Sequence, residues 1–287
     1  MINHQFIKLL DWIDPNNLCI ENLCENPNAE CILRNNLDKI NWSCLSHNSN
    51  MINILNDNKN MINWYYLSDN ENAINLLEEN FDKINWISLS MNINSIHILS
   101  NNLNKINWKY LSSNSSAMSL IENNLDKINW NLLSFNKNAI HILENNLDKV
   151  NWIFISSNEN AINIIEKNLD KINWKMLSTN PNAIHILEKN QDKIDWRIIS
   201  SNSNAIKLIE NNLDKINWSY LSYNINAIHI LEKNQDKIDW KWISENPSIF
   251  KIDYMKIKNR LDLTFGEELI KKVFHPKNIY KFEDWGF

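Results

Sequence analysis

The chain has 287 residues, 44% of them hydrophobic, and a formal net charge of −5. That is enough apolar material for a folded core, and the acidic balance disfavours nucleic acid or an anionic membrane as the main partner. With two glycines in the whole chain a phosphate-cradling glycine loop is excluded, and neither HExxH nor GxSxG occurs, so no catalytic or cofactor site is expected.

The chain opens with MINHQFIKLLDWIDPNNL. Phe6, Leu9, Leu10 and Ile13 mark one apolar helical face, and Asp14-Pro15 breaks it. Residues 1–17 therefore read as an N-terminal helical cap. There is no continuous apolar core of a secretory signal and no run long enough to span a membrane. Cys19, Cys24, Cys31 and Cys44 are separated by four, six and twelve residues, a spacing of free thiols rather than of a paired zinc site.

From 18 to 253 one small block returns every 22 residues. Trp42, Trp64, Trp86, Trp108, Trp130, Trp152, Trp174, Trp196, Trp218 and Trp240 are spaced without one insertion or deletion, the signature of a solenoid or related array. Numbered from its Ile, repeat 194–215 reads IDWRIISSNSNAIKLIENNLDK. Repeat 18–39 is degenerate, with Ile20 in the Trp site and Cys24 in the Ser site; regular repeats follow to 237, and 238–253 is truncated. Apolar residues at sites 3, 6, 12, 13, 15, 16 and 20 have helical spacing. The fold class is all-α: a solenoid of about eleven two-helix repeats, helix A near sites 3–8 and helix B near sites 10–18.

Asparagine is given fixed places. At site 9, followed by proline in Asn26-Pro27, Asn180-Pro181 and Asn246-Pro247, it is expected to N-cap helix B. At site 19 it is expected to end helix B in the left-handed conformation that glycine otherwise takes. Site 12 is mostly Ala, small enough for close layers. Helices of two turns are marginal alone, so stacking must hold them, with the ten tryptophans as structural core worth roughly 3–5 kcal/mol each. Layers about 8–10 Å apart predict a rod or arc roughly 90–110 Å long, whose terminal repeats are atypical because one face meets water.

Sites 4, 5, 8, 10 and 14 vary on this constant frame. Site 14 lies between core sites 13 and 15, so it should face outward on helix B, the helix that commonly lines the concave side of α-solenoids. His97, His141, Asn163, His185, Lys207 and His229 are therefore the candidate partner-binding residues. Alternate-layer histidines would stand about 16–20 Å apart, too far to share a metal. Site 5 carries Tyr66, Tyr110, Phe154, Tyr220 and Trp242, either core or exposed. The lysine column at site 22 could track phosphates, yet an aspartate precedes it in most repeats and nearly cancels it. The varying sites read either as a binding face or as neutral change on solvated positions.

Residues 254–287 leave the pattern and read as a C-terminal helical cap. A helix is predicted over 267–274, His275-Pro276 ends it, and a second short helix carries Ile279, Phe282 and Trp285.

The recurring DKINWxxLSxNxNAIHILExN, the opening LLDWIDPNNL and the ending EELIKKVFHPKNIYKFEDWGF together resemble tandem-repeat proteins of giant DNA viruses, the mimivirus-like and algal-virus groups. The resemblance covers nearly the whole chain. It implies viral origin, with a place in the host cytoplasm at the viral factory or in the virion. The expected function is a non-enzymatic scaffold mediating protein–protein interaction, with a viral or host protein as partner. The alternative is a self-associating structural protein of the virion or viral factory, and a homo-oligomer stays open.

Overall fold

A computed structural model describes residues 6–264; the helices predicted over 267–274 and around 279–285 lie outside the described residues. The described chain falls into two compact bodies, residues 12–249 and a smaller one built from both chain ends.

Within 12–249 the fold is the all-α repeat solenoid. Helix A starts from a cap at site 2. Asn41 is extended (φ −79°, ψ 96°) and its Oδ1 accepts from the backbone N–H of Ser43 and Cys44, satisfying donors that the first turn leaves free. Helix A is Trp42–His47 in the second repeat and Trp130–Leu133 in the sixth. Helix B begins only at site 13, as Ile52–Asp57 and Ile140–Glu144. Asn at site 9 caps the turn before it rather than the α-helix itself: Asn48 Oδ1 accepts from the Asn50 N–H at 3.1 Å at the start of the 3-10 turn Ser49–Met51, which runs directly into helix B.

The site-19 asparagines are not left-handed either. Asn58 has φ −134° and ψ 50°, and its Nδ2 donates to Ile54 O at 2.9 Å. A side-chain amide thus satisfies a carbonyl orphaned at the end of helix B, and no positive φ is required. Several repeats then end in one 3-10 turn, such as Phe81–Lys83 and Gln191–Lys193.

The sealed core consists of sites 6, 12 and 16: Leu45, Leu67, Ala73, Leu77, Leu111, Ala139 and Leu143 are all 0% exposed. The ten tryptophans are half-buried, so the cost expected for fully enclosed rings is an upper bound. From Trp64 to Trp218 their open faces are covered by the site-22 lysines. Lys83 Nζ lies 4.7 Å from the Trp64 ring centroid, and the pairing returns repeat after repeat to Lys237 over Trp218 at 4.6 Å.

Neighbouring repeats are joined by one recurring set of hydrogen bonds. The Nδ2 of Asn136 donates to the carbonyls of Ser112 and Asn114, both at 3.0 Å. The N–H of Asn129 donates to Ser112 Oγ at 2.8 Å, while Ser112 Oγ donates to Trp108 O. Asn138 Nδ2 reaches Ser115 O at 2.8 Å. Buried polar groups must be paired, and here each repeat completes the pairing of the one before.

That set does not stop at the ends. Asn26 Nδ2 donates to Ser244 O and Asn246 O, both at 2.9 Å; the Cys19 N–H donates to Ser244 Oγ at 2.9 Å; Asn28 Nδ2 donates to Pro247 O at 3.1 Å. These are sites 9, 2 and 11 of the first repeat bonded to sites 7, 9 and 10 of the last, as at every internal junction. The array closes into a ring. The expected rod or arc with water-facing ends is therefore corrected: the same donors and acceptors that extend the stack also join its ends.

Neighbouring A helices pack side by side, Trp42–His47 against Trp64–Asp69 and Trp218–Tyr223 against Trp240–Glu245, and among the described residues no neighbouring B helices come as close. In a closed ring the closer-set layer has the smaller circumference. The A helices and the A–B turns therefore line the inner side, and helix B, expected on the concave side, is outside.

The smaller body contains a strand pair where a helix was expected. β1 (Ile7–Leu9) pairs antiparallel with β2 (Phe250–Ile252), Ile7 opposite Ile252 and Leu9 opposite Phe250. The Asp253 N–H donates to Phe6 O at 2.7 Å, and Lys251 bonds Asp11. A short apolar run fits either period; a partner strand from the other chain end decides for the sheet.

Candidate interaction surface

Site 14 is exposed throughout, at His97, His141, Asn163, His185, Lys207 and His229. The four histidines are not free, however. Each Nε2 meets a glutamate Oε1 at site 17 of the preceding repeat: His97 with Glu78, His141 with Glu122 and His185 with Glu166 at 2.9 Å, His229 with Glu210 at 2.8 Å. The column is outside the ring and ties alternate neighbours together. Exposed pairs of this kind contribute about 0–1 kcal/mol. Lys207 borders a groove with Glu188, Asn204 and Asn226.

The inner side is different. Sites 4, 5, 8 and 10 line it, and they hold exposed apolar side chains: Tyr65 and Tyr66, Ile87, Phe135, Ile153, Tyr223 and Trp242. Of the site-5 aromatics, Tyr66 and Trp242 are exposed and Tyr110, Phe154 and Tyr220 half-buried. Trp242 stacks on Tyr220 (centroids 6.4 Å, 27°) and takes the edge of Tyr223 at 6.3 Å. Arg197 lies 5.0 Å over the Tyr220 ring and donates to its hydroxyl. One cleft of about 400 Å³ runs from Ile93 past Phe135 to Pro181, across five repeats at sites 8 and 10. A second cavity, of about 450 Å³, opens beside Glu25, His47, Tyr65, Tyr66, Asp69 and Ser88.

Charge is unevenly placed around this face. Site 8 is acidic near the closing junction (Glu245, Glu25, Asp69), while site 4 is basic at Lys175, Arg197 and Lys241. Burial holds the Glu245 carboxyl above its usual range, and burial together with Glu245 and Glu25 raises the Tyr223 phenol. The Asp69 carboxylate, 3.4 Å from His47 Nε2, raises that imidazole by hydrogen bonding. A hydrogen bond with Cys24, then burial and Glu25, pushes the Cys44 thiol up, so it stays protonated at neutral pH.

No family model, curated protein or solved structure matches this chain. What it can do has to be read from its own surface. Among the described residues no three His, Cys, Asp or Glu side chains converge as metal ligands, and no helix is long and apolar enough to cross a membrane. The site-22 lysines, a possible phosphate track by sequence, are packed against indole faces.

The site-2 cap and the Asn136-type ladder were not singled out by sequence reasoning, which named the site-5 aromatics but left them either core or exposed. DKINW itself carried the cap signal, an Asn or Asp before a helical run in every repeat after the first, which has Cys19 there.

Proposed function

We propose that this protein is a non-enzymatic scaffold of a giant DNA virus, working by protein–protein interaction in the host cytoplasm or virion, and that its partner binds the inner face. One observation carries the reading: the varying positions of the inner side expose large apolar groups, with Phe135 54% and Ile153 51% accessible. Monomeric proteins rarely keep such groups together in a concavity unless something covers them. The outward site-14 column supports binding less well, since its histidines already pair within the ring. The self-associating alternative loses its end contacts, because both end repeats are joined to each other.

The test is rebinding of purified partners captured from infected cells. A Phe135→Ser, Ile153→Ser double variant should lose at least tenfold in affinity, as hot-spot truncations of apolar anchors do, while a His141→Ala, His185→Ala variant stays within about threefold. Partners bound equally by all three proteins would overturn the reading.

A further inference from the structure

One edge of the ring carries an apolar arc that the local fold does not call for. Site 20 falls in the short connection from helix B to the next helix A, at the other end of the hairpin from the A–B turns. In the third to seventh repeats it holds Phe81, Leu103, Leu125, Leu147 and Leu169, each between 39% and 53% exposed. Polar residues serve the same position elsewhere. Lys59, Gln191 and Gln235 open the same 3-10 turn at this site as Phe81 and Leu103 do. The backbone ahead of them is the same too: φ and ψ are −134° and 50° at Asn58, −133° and 50° at Asn190, and −130° and 50° at Asn80. The apolar choice in five successive repeats is therefore not made by the turn.

Singly exposed leucines are ordinary, but these form a connected strip. The Phe81 ring meets Trp86 of the next repeat edge to face, centroids 5.5 Å apart at 74°. Lys105 lies 4.8 Å over that same indole, so half-buried tryptophans and lysine stems bridge from one site-20 side chain to the next. Both signs of charge stand beside the strip: Asp82-Lys83, Asp126-Lys127, Asp148-Lys149 and Asp170-Lys171 are all exposed. An edge so balanced attracts neither a polyanion nor an anionic bilayer. It is complementary to itself. Two copies related by a two-fold axis run in opposite directions along a shared edge, so aspartates of one face lysines of the other while the arcs overlap. Apolar groups set once per repeat around a ring match a surface with the same interval, and a second ring has it. The contacts that close the ring do not involve this edge.

We propose that the arc from Phe81 to Leu169 is a dimer interface, covered by the same arc of a second copy of this chain. With the two-fold axis at the middle repeat, Leu125 meets its own counterpart, Leu103 meets Leu147 and Phe81 meets Leu169. Five such side chains offer apolar area on the order of a few hundred Å², less than the roughly 800 Å² that a standard interface takes from each partner. The dimer is accordingly weak and reversible, with a Kd on the order of 10 μM. It does not depend on what the inner face binds.

The experiment is sedimentation equilibrium of the full chain from about 1 to about 500 μM, a range that brackets that Kd. The 34.1 kDa monomer should pass into a dimer as concentration rises. A Leu103→Gln, Leu125→Gln, Leu147→Gln variant, carrying the residue that Gln191 and Gln235 already place at this site, should dimerise at least about tenfold more weakly with its Tm unchanged. Leu213→Gln, at site 20 but outside the arc, should dimerise as the parent chain does, and so should Phe135→Ser with Ile153→Ser on the inner side. A monomer throughout the range, a dimer as tight in the triple variant, or a dimer lost equally in the inner-side variant would each overturn the proposal. So would binding of the monomer to phosphatidylserine–phosphatidylcholine vesicles through the same leucines with no dimer in solution, which would put a bilayer in place of the second copy. Partner capture through Phe135 and Ile153 tests the scaffold reading alone, and dimerisation tests this inference alone.

Discussion

Asn136 is 1% exposed, and every polar atom of its amide meets backbone: Nδ2 meets two carbonyls of the preceding repeat and Oδ1 meets the Asn138 N–H. Truncation to Ala would leave Ser112 O and the Asn138 N–H without a partner, while Asn114 O keeps the Ala117 N–H. At about 1–3 kcal/mol for each unsatisfied group, partly relieved by relaxation, Asn136→Ala should cost roughly 2–4 kcal/mol in denaturant unfolding. Asn136→Asp keeps the shape but turns a donor into an acceptor facing two carbonyls. It should be worse than Ala at pH 7. The folded-state pKa of that new carboxyl would lie far above its unfolded value, so the unfolded chain releases the proton first as pH rises. The variant therefore regains stability as pH falls toward 4, the reverse of a paired aspartate.

The same exchange has the opposite sense in helix A. Asn129 sits at the N-cap, its Oδ1 accepting from the Leu132 N–H at 3.0 Å, and two other repeats already use Asp195 and Asp239 there. Asn129→Asp should be neutral or stabilising by up to about 1 kcal/mol, since a carboxylate favours the positive end of a helix. Asn129→Ala should cost about 1 kcal/mol. Thermal melts of the pair separate cap from ladder, and an equal loss for Asp and Ala would contradict the assignment. Both asparagines stand out in sequence as fixed columns. Which one caps and which one crosses to the next repeat depends on a neighbour that a 22-residue pattern does not contain.

At the scale of the whole array, closure changes how the ring can come apart. An open solenoid frays from its ends, because terminal repeats lack one neighbour. Here the first repeat is bonded to the last through Asn26, Cys19 and Asn28. Asn26→Ala should then cost about as much as Asn136→Ala, within about 1 kcal/mol, and hydrogen exchange at residues 23–26 and 243–246 should be as slow as at 111–114. Fast exchange confined to the terminal repeats would show that the closing junction does not hold in solution.

Period, helical class, the small site 12 and the repeat count followed from sequence alone, because each is a local pattern repeated until chance is excluded. Leu45 and Ala73 had to be core wherever the repeats went. Curvature was another matter. The pattern says that a repeat stacks on the next, and the angle between them is a sum of small packing choices accumulated over eleven copies. Only the tertiary structure shows that this sum brings Ser244 and Asn246 to Asn26, puts helix A inside, and turns Ile7–Leu9 into a strand by supplying Phe250–Ile252. Those outcomes join residues more than 200 positions apart, and no local propensity reaches that far.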